Sequence, residues 1–459
     1  MQSRLLCRVV QVLPCLLMLP TLAMAVLPSN ADVEAILDKH LIANKQAKGV
    51  AVALVDASGI RIVTAGVARG DSVVRQDDLF EIGSLTKTFT GLLLAIADRK
   101  GEAKLDDAVE KFLPNGQHLR DSLGTPIRMV DLATHRSGLP RLATNMQPKD
   151  PKDPYADYTE QDLLDFLKSL KATRERNAQY EYSNIGFGLL GYVLTRAANA
   201  QNYETLLSTR ILIPLGMNNT TSDAKKFAAR LAQPHDASGH ATPAWALPIV
   251  HAGAGAIRAT IGDMGRYVEA IAGVKPTPLD RDIALALTMR EPGPGRINPI
   301  GLAWMKIPLA DREFFNHDGG TFGSSSSMLV DRSTKEGVIV VANSSTKLTD
   351  IAIHLMDRRH NLAPRVFPVT VPIAEALLIR YAGNYKLNDQ LSIAIRVNGS
   401  KITAQATGQG EFEIFPENET RFFAKVAPIV VTFGEIIDGR AGQFVLEQGG
   451  AKLIARRVS

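Results

Sequence analysis

The chain is poor in cysteine: 459 residues contain 2, Cys7 and Cys15. Both lie in a stretch that reads as a secretory signal. Arg4 and Arg8 form a positive start, Val9 to Leu22 is mostly apolar, and Ala23-Met24-Ala25 offers a small-x-small cleavage site. Residues 1–25 are therefore expected to be removed, which leaves no cysteine. That excludes a thiol nucleophile, a Cys-ligated metal and a disulfide framework. The apolar run is short and broken by Pro14 and Pro20, so no integral membrane segment is expected after cleavage. The expected compartment is the periplasm.

Other absences narrow the function. No Lys/Arg-rich run occurs and the formal net charge is only +5, so nucleic acid is not the expected partner. There is no His-Glu-x-x-His helix, and the 9 histidines include no pair at i, i+4. No metal and no cofactor are expected. Gly-x-Ser-x-Gly is also missing, which excludes the usual α/β-hydrolase elbow. What remains is ample apolar material, 45% of residues against 22% charged, enough for a folded core in more than one domain.

Strand patterns occupy both ends of a first large unit. Val50–Asp56 and Ile60–Ala65 flank the turn Ala57-Ser58-Gly59, and Ser326–Val330 and Gly337–Ala342 return near the end. Asp32–Gln46 and Phe89–Ala97 read as helices, and the middle is helical in character. This order predicts one sheet built from both ends with a helical part inserted. Prolines at 364, 368 and 372 mark a linker over 361–372. Beyond it, short alternating segments (Leu391–Val397, Lys401–Ala406, Phe412–Phe415, Arg421–Lys425, Ile429–Phe433) predict a small all-β barrel or sandwich over 373–459.

Three Ser-x-x-Lys tetrads occur, at Ser84/Lys87, Ser222/Lys225 and Ser344/Lys347. Context selects the first, because Ser84 opens the apolar helix. A helix start favours developing negative charge, and Lys87 lies one turn on, on the same face. A lysine carried into a partly buried site loses solvation and becomes able to accept a proton. A second element is Tyr182-Ser183-Asn184 before the apolar helix Ile185–Ala198. Taken alone it also reads as a helix cap. A third is His317-Asp318-Gly319-Gly320-Thr321-Phe322-Gly323, which alone reads as a glycine-rich turn.

Together these resemble the active-site set of the serine β-lactamase and penicillin-binding family, nearest to class C β-lactamases and their esterase and D-amino-acid peptidase relatives. Phe80 to Lys87 resembles the class C nucleophile segment, with Thr86 where Ser or Ala is usual. Tyr182-Ser183-Asn184 matches unchanged, and His317-Asp318-Gly319 stands where Lys-Thr-Gly is usual. The resemblance extends to Leu132–Pro140 and Ile213–Met217, and covers Ala31 to Ser345. It implies an α+β fold over 26–360: an antiparallel sheet flanked by helices, with a helical subdomain.

It also implies roles. Ser84 forms an acyl-enzyme while Lys87 and Tyr182 carry protons, Lys87 lowering the proton affinity of the phenol. Asn184 bonds Lys87 and the substrate amide. His317, Gly319, Gly320 and Thr321 bind substrate, with the N–H groups of Ser84 and Gly320 as oxyanion hole. Histidine at 317 is a cation only in acid unless a carboxylate supports it, and Asp318 is adjacent. The expected substrate is a small β-lactam. A D-amino-acid peptide or an ester is the alternative, and an inactive binder of cell-wall fragments a further one. The oligomeric state is left open. Tyr381-Ala382-Gly383-Asn384-Tyr385 resembles the opening of small β domains attached to such hydrolases, with packing, gating or dimer contact as possible roles.

Overall fold

The computed structural model describes residues 27–458 apart from 295–297, 310, 363–366, 388–390, 408–410, 426–428 and 449–450. The expected signal, 1–25, lies outside the described residues, as does part of the expected linker. No helix among the described residues is long and apolar enough to cross a membrane.

The first strand pair forms as the turn predicts. β1 (Gly49–Asp56) and β2 (Gly59–Arg69) pair antiparallel with Asp56 opposite Gly59, and β2 runs past its expected end. Four later strands complete the centre of the sheet: β3 (Met305–Leu309), β4 (Arg312–Gly320), β5 (Ser325–Asp331) and β6 (Glu336–Ala342). The order is β2-β1-β6-β5-β4-β3 within a nine-stranded antiparallel sheet whose outer members are two-residue strands. Both ends of the chain segment thus meet at the β1–β6 pair, with Val52 opposite Val340.

β1 is apolar on both faces because both are covered. Val50, Val52 and Leu54 join Ile351 and Leu355 of a C-terminal helix in one core, while Ala51, Ala53 and Val55 join the helical part in the other. Each fully buried Val or Leu contributes about 1.5–3 kcal/mol. Helix α1 (Thr86–Lys100) runs through the second core, buried from Thr86 to Ala97. It begins three residues before the apolar pattern suggested. Thr88 and Thr90 are buried polar residues whose hydroxyls bond the carbonyls of Leu85 (2.8 Å) and Gly253 (2.7 Å). Helix α2 (Asn184–Ala197) lies against it.

The C-terminal part is a closed eight-stranded barrel, which decides between barrel and sandwich. All five expected strands are present. Gly383–Lys386, Gln443–Gln448 and Ala451–Arg457 were not read from sequence, and pairing of the first with the last closes the barrel. Tyr381 stacks on Phe433 in its core at 4.1 Å between ring centroids. The barrel touches the first unit where Ser238 Oγ donates to Glu413 at 3.0 Å. The fold is the expected α+β unit followed by a small all-β domain.

Candidate active site

Ser84 stands at the mouth of α1 on a single 3₁₀ turn, Gly83–Leu85. Gly83 has φ +50°, and a Cβ there would lie 2.5 Å from the nitrogen of Gly320. Only glycine allows this turn to press against the end of β4. Ser326 of β5 holds the turn from the other side, its hydroxyl donating to the Ile82 carbonyl at 2.8 Å. The serine run 324–327, unremarkable in sequence, is therefore structural. Ser327 likewise bonds Asp318 at 2.6 Å.

Lys87 points back along the helix. Its Nζ donates to Ser84 Oγ at 2.9 Å and to the Ala254 carbonyl at 2.8 Å. The side chain is fully buried. Burial, with the nearby Arg141 cation second, holds its proton affinity well below that of an ordinary lysine. Asn184 does not bond Lys87, contrary to expectation. Its amide donates to Tyr155 Oη at 2.9 Å, and its buried Oδ1 has no partner among the described residues.

Tyr182 lies over the ammonium, with Nζ 4.9 Å from the ring centroid. Burial pushes the phenol up to about 12, against the opposing effects of its hydrogen bond with Ser84 and of Arg141. The expected lowering by Lys87 does not appear: burial acts on both groups and disfavours the charged form of each. Ser183 is the cap of α2, its Oγ accepting from Gly186 N–H at 2.9 Å. The capping reading of this tripeptide thus falls on Ser183, while the ring placed beside Lys87 is that of Tyr182.

His317 sits on β4, opposite Met328, and is 2% exposed. Burial, with the Lys87 charge second, lowers its pKa to about 3. The Asp318 carboxylate gives it no support, because its oxygens are taken by Ser327 and by Thr349 at 2.8 Å. The ring Nδ1 instead meets the Asp318 backbone carbonyl at 2.7 Å. The imidazole is neutral at ordinary pH.

Gly319 has no room for a side chain: a Cβ would lie 2.0 Å from the Ile82 carbonyl oxygen. At Gly320 the nearest atom to an added Cβ is 3.7 Å away. The tight contact belongs to Gly83 and Gly319. Thr321 is tied down, its hydroxyl donating to the buried Glu81 at 2.9 Å.

Sequence reasoning missed His135, Arg141 and Tyr155. His135 is buried, has φ +57°, and accepts the Ser183 N–H on Nδ1 at 3.0 Å. The proton is then on Nε2. Its ring lies 4.4 Å from that of Tyr182 and so sets where the phenol stands. The segment Leu132–Pro140 was the available signal for it. Arg141, directly after, places its guanidinium carbon 5.1 Å from the Tyr182 ring centroid. The two discarded tetrads are occupied elsewhere. Ser222 Oγ bonds Glu204 at 2.8 Å, and Ser344 Oγ accepts from Lys48 N–H at 2.9 Å.

This geometry can be set beside known proteins. The family model described as Beta-lactamase matches residues 35–360. Penicillin-binding protein 4* of Bacillus subtilis is 25% identical over 411 residues, 83% of this chain and 87% of that protein. The D-alanyl-D-alanine-carboxypeptidase/endopeptidase AmpH of Escherichia coli is 29% identical over 232 residues, covering 50% of this chain and 59% of that protein. Among solved structures, a class C beta-lactamase superposes with TM-score 0.62 at 22% identity, over 71% of this chain and 95% of its own. The octameric penicillin-binding protein homologue from Pyrococcus abyssi also gives TM-score 0.62, at 21% identity, over 93% of this chain and all of its own.

Proposed function

The chain belongs to the Beta-lactamase family of serine hydrolases, and we propose that it forms an acyl-enzyme on Ser84 and hydrolyses the β-lactam amide. The observation that carries this is the 2.9 Å contact between Lys87 Nζ and Ser84 Oγ, made by a lysine whose proton affinity burial holds well below the ordinary value. A neutral amine accepts the Ser84 proton as Oγ attacks the carbonyl carbon. The N–H groups of Ser84 and Gly320, brought together by the Gly83 contact, receive the developing oxyanion. The Tyr182 phenol, protonated at rest, donates to the leaving nitrogen as the C–N bond breaks. It regains the proton from Lys87. Water then attacks the ester, with the same groups carrying its proton, and releases Ser84.

Neutral His317 favours a second reading: a D-amino-acid peptidase or carboxylesterase with the same machinery. The usual lysine cation, which helps hold a substrate carboxylate, is missing from this wall. An inactive binder of cell-wall fragments fits poorly with a complete Ser84, Lys87 and Tyr182 set. The segment 1–25, read as a signal, supports a periplasmic location.

Turnover of a chromogenic cephalosporin, a D-Ala-D-Ala peptide and a short-chain ester, with Ser84→Ala as control, ranks the readings. Cephalosporin turnover lost in Ser84→Ala is expected. Turnover of esters alone would replace the first reading by the carboxylesterase one.

A further inference from the structure

With His317 neutral, β4 brings no cation to the cleft, yet the cleft has one. Arg141 is solvent-exposed, and its guanidinium makes no ion pair or hydrogen bond among the described residues. Its charge nevertheless reaches the centre of the site, acting on Lys87, Tyr182, Tyr155 and His135. Its root is fixed. The Arg141 carbonyl accepts the N–H of Asn184 at 2.9 Å, and the preceding Pro140 carbonyl accepts the Ser183 hydroxyl at 2.7 Å. The guanidinium thus lies against the Tyr182 ring, on a backbone tied to the first residues of α2. Asn184 beside it keeps an unpartnered buried Oδ1. A cation stacked on an aromatic face still has five N–H donors in a planar fork that matches a carboxylate.

Resting on the serine-hydrolase reading above, we propose that Arg141 is a specificity residue that binds a carboxylate on the acyl half of the substrate, close to the scissile carbonyl. The preferred substrates are then anionic acyl donors, with the anion held on the α2 side of the cleft. The carboxylate would accept from the guanidinium, and Asn184 Oδ1 would accept an N–H from the same acyl half.

The test uses two chromogenic acyl donors that differ only in a carboxylate or a carboxamide on the acyl half, with wild type, Arg141→Gln and Arg141→Lys. The wild type is expected to prefer the carboxylate in kcat/KM. Arg141→Gln should reduce that preference about tenfold, mainly through KM, as loss of one charge-assisted contact implies. Arg141→Lys should restore part of it, and added salt should weaken it in wild type. Absence of preference in an active wild type, or equal loss for both substrates in Arg141→Gln, overturns the proposal. If the wild type acylates Ser84 with neither donor nor a penicillin, the hydrolase reading itself has failed, which is a distinguishable result.

Discussion

Lys87 Nζ lies 4.9 Å from the centre of the Tyr182 ring, yet the proton affinities of the two groups move in opposite directions. Burial lowers the ammonium's and raises the phenol's, to about 12. Both groups are thereby driven toward neutrality, the lysine as base and the tyrosine as acid. The base form of Lys87 accumulates above its lowered pKa, so kcat/KM should rise with pH through that value. Tyr182→Phe should lower kcat by roughly 10²–10⁴ and leave this acid limb in place. A pH profile of kcat/KM for both proteins checks it. Loss of the limb in Tyr182→Phe would transfer the base role to tyrosine.

A second pH effect concerns stability. Burial holds His251 and His317 near 3, against an ordinary 6.5. Between those values the unfolded chain takes up protons that the folded one refuses. The stability these neutral rings contribute is complete above about 6.5 and is lost as pH falls toward 3. The slope is at most about 1.4 kcal/mol per pH unit for each ring. His251 is fully buried and neither ring nitrogen has a partner among the described residues. His251→Phe should flatten the fall in stability between pH 6 and 4, about one ring's share of the slope. Urea unfolding at the two pH values measures it, and an unchanged slope would show that His251 is not the group titrating.

Gly319 and Gly320 of the third motif should respond differently. Gly319→Ala drives a methyl into the Ile82 carbonyl and Ser326 Oγ, at 2.0 and 2.3 Å. It should cost about 1–3 kcal/mol or more and displace the Ser84 turn. Gly320→Ala meets nothing closer than 3.7 Å. Its melting temperature should stay near that of wild type.

Thr321 should act on stability and not on substrate affinity. Its hydroxyl serves the buried Glu81, which also meets the Trp245 N–H at 2.7 Å, the Ser324 hydroxyl at 3.4 Å and Arg258 at 3.8 Å. Thr321→Val removes a donor from a buried carboxylate, at about 1–3 kcal/mol. Thr321→Ser should recover most of this. A rise in KM without a change in melting temperature would return Thr321 to the substrate.

The sheet was legible because alternation and turn chemistry report burial directly, as in Val50 to Asp56. The start of α1 was less so. Threonines 86, 88 and 90 look polar in sequence but are satisfied inside the core, Thr86 by the Ile257 N–H, Thr88 by the Leu85 carbonyl and Thr90 by the Gly253 carbonyl. The grouping of Ser84, Lys87 and Tyr182 was legible because local motifs carry them. His135 and Arg141 were not, since their roles come from contacts across 40 or more residues with the start of α2. The charge state of His317 was open in sequence for the same reason. Adjacency to Asp318 says nothing of where that carboxylate points, and strand geometry sends it to Ser327 and Thr349.

Ser84 is the proposed acyl carrier, and intact-protein mass spectrometry after rapid acid quench tests this most directly. On mixing with a penicillin, the protein should gain the mass of one opened penicillin, on the peptide that contains Ser84. The gain should be absent in Ser84→Ala. An adduct that persists in Ser84→Ala, or substrate turnover by that variant at the wild-type rate, would contradict it.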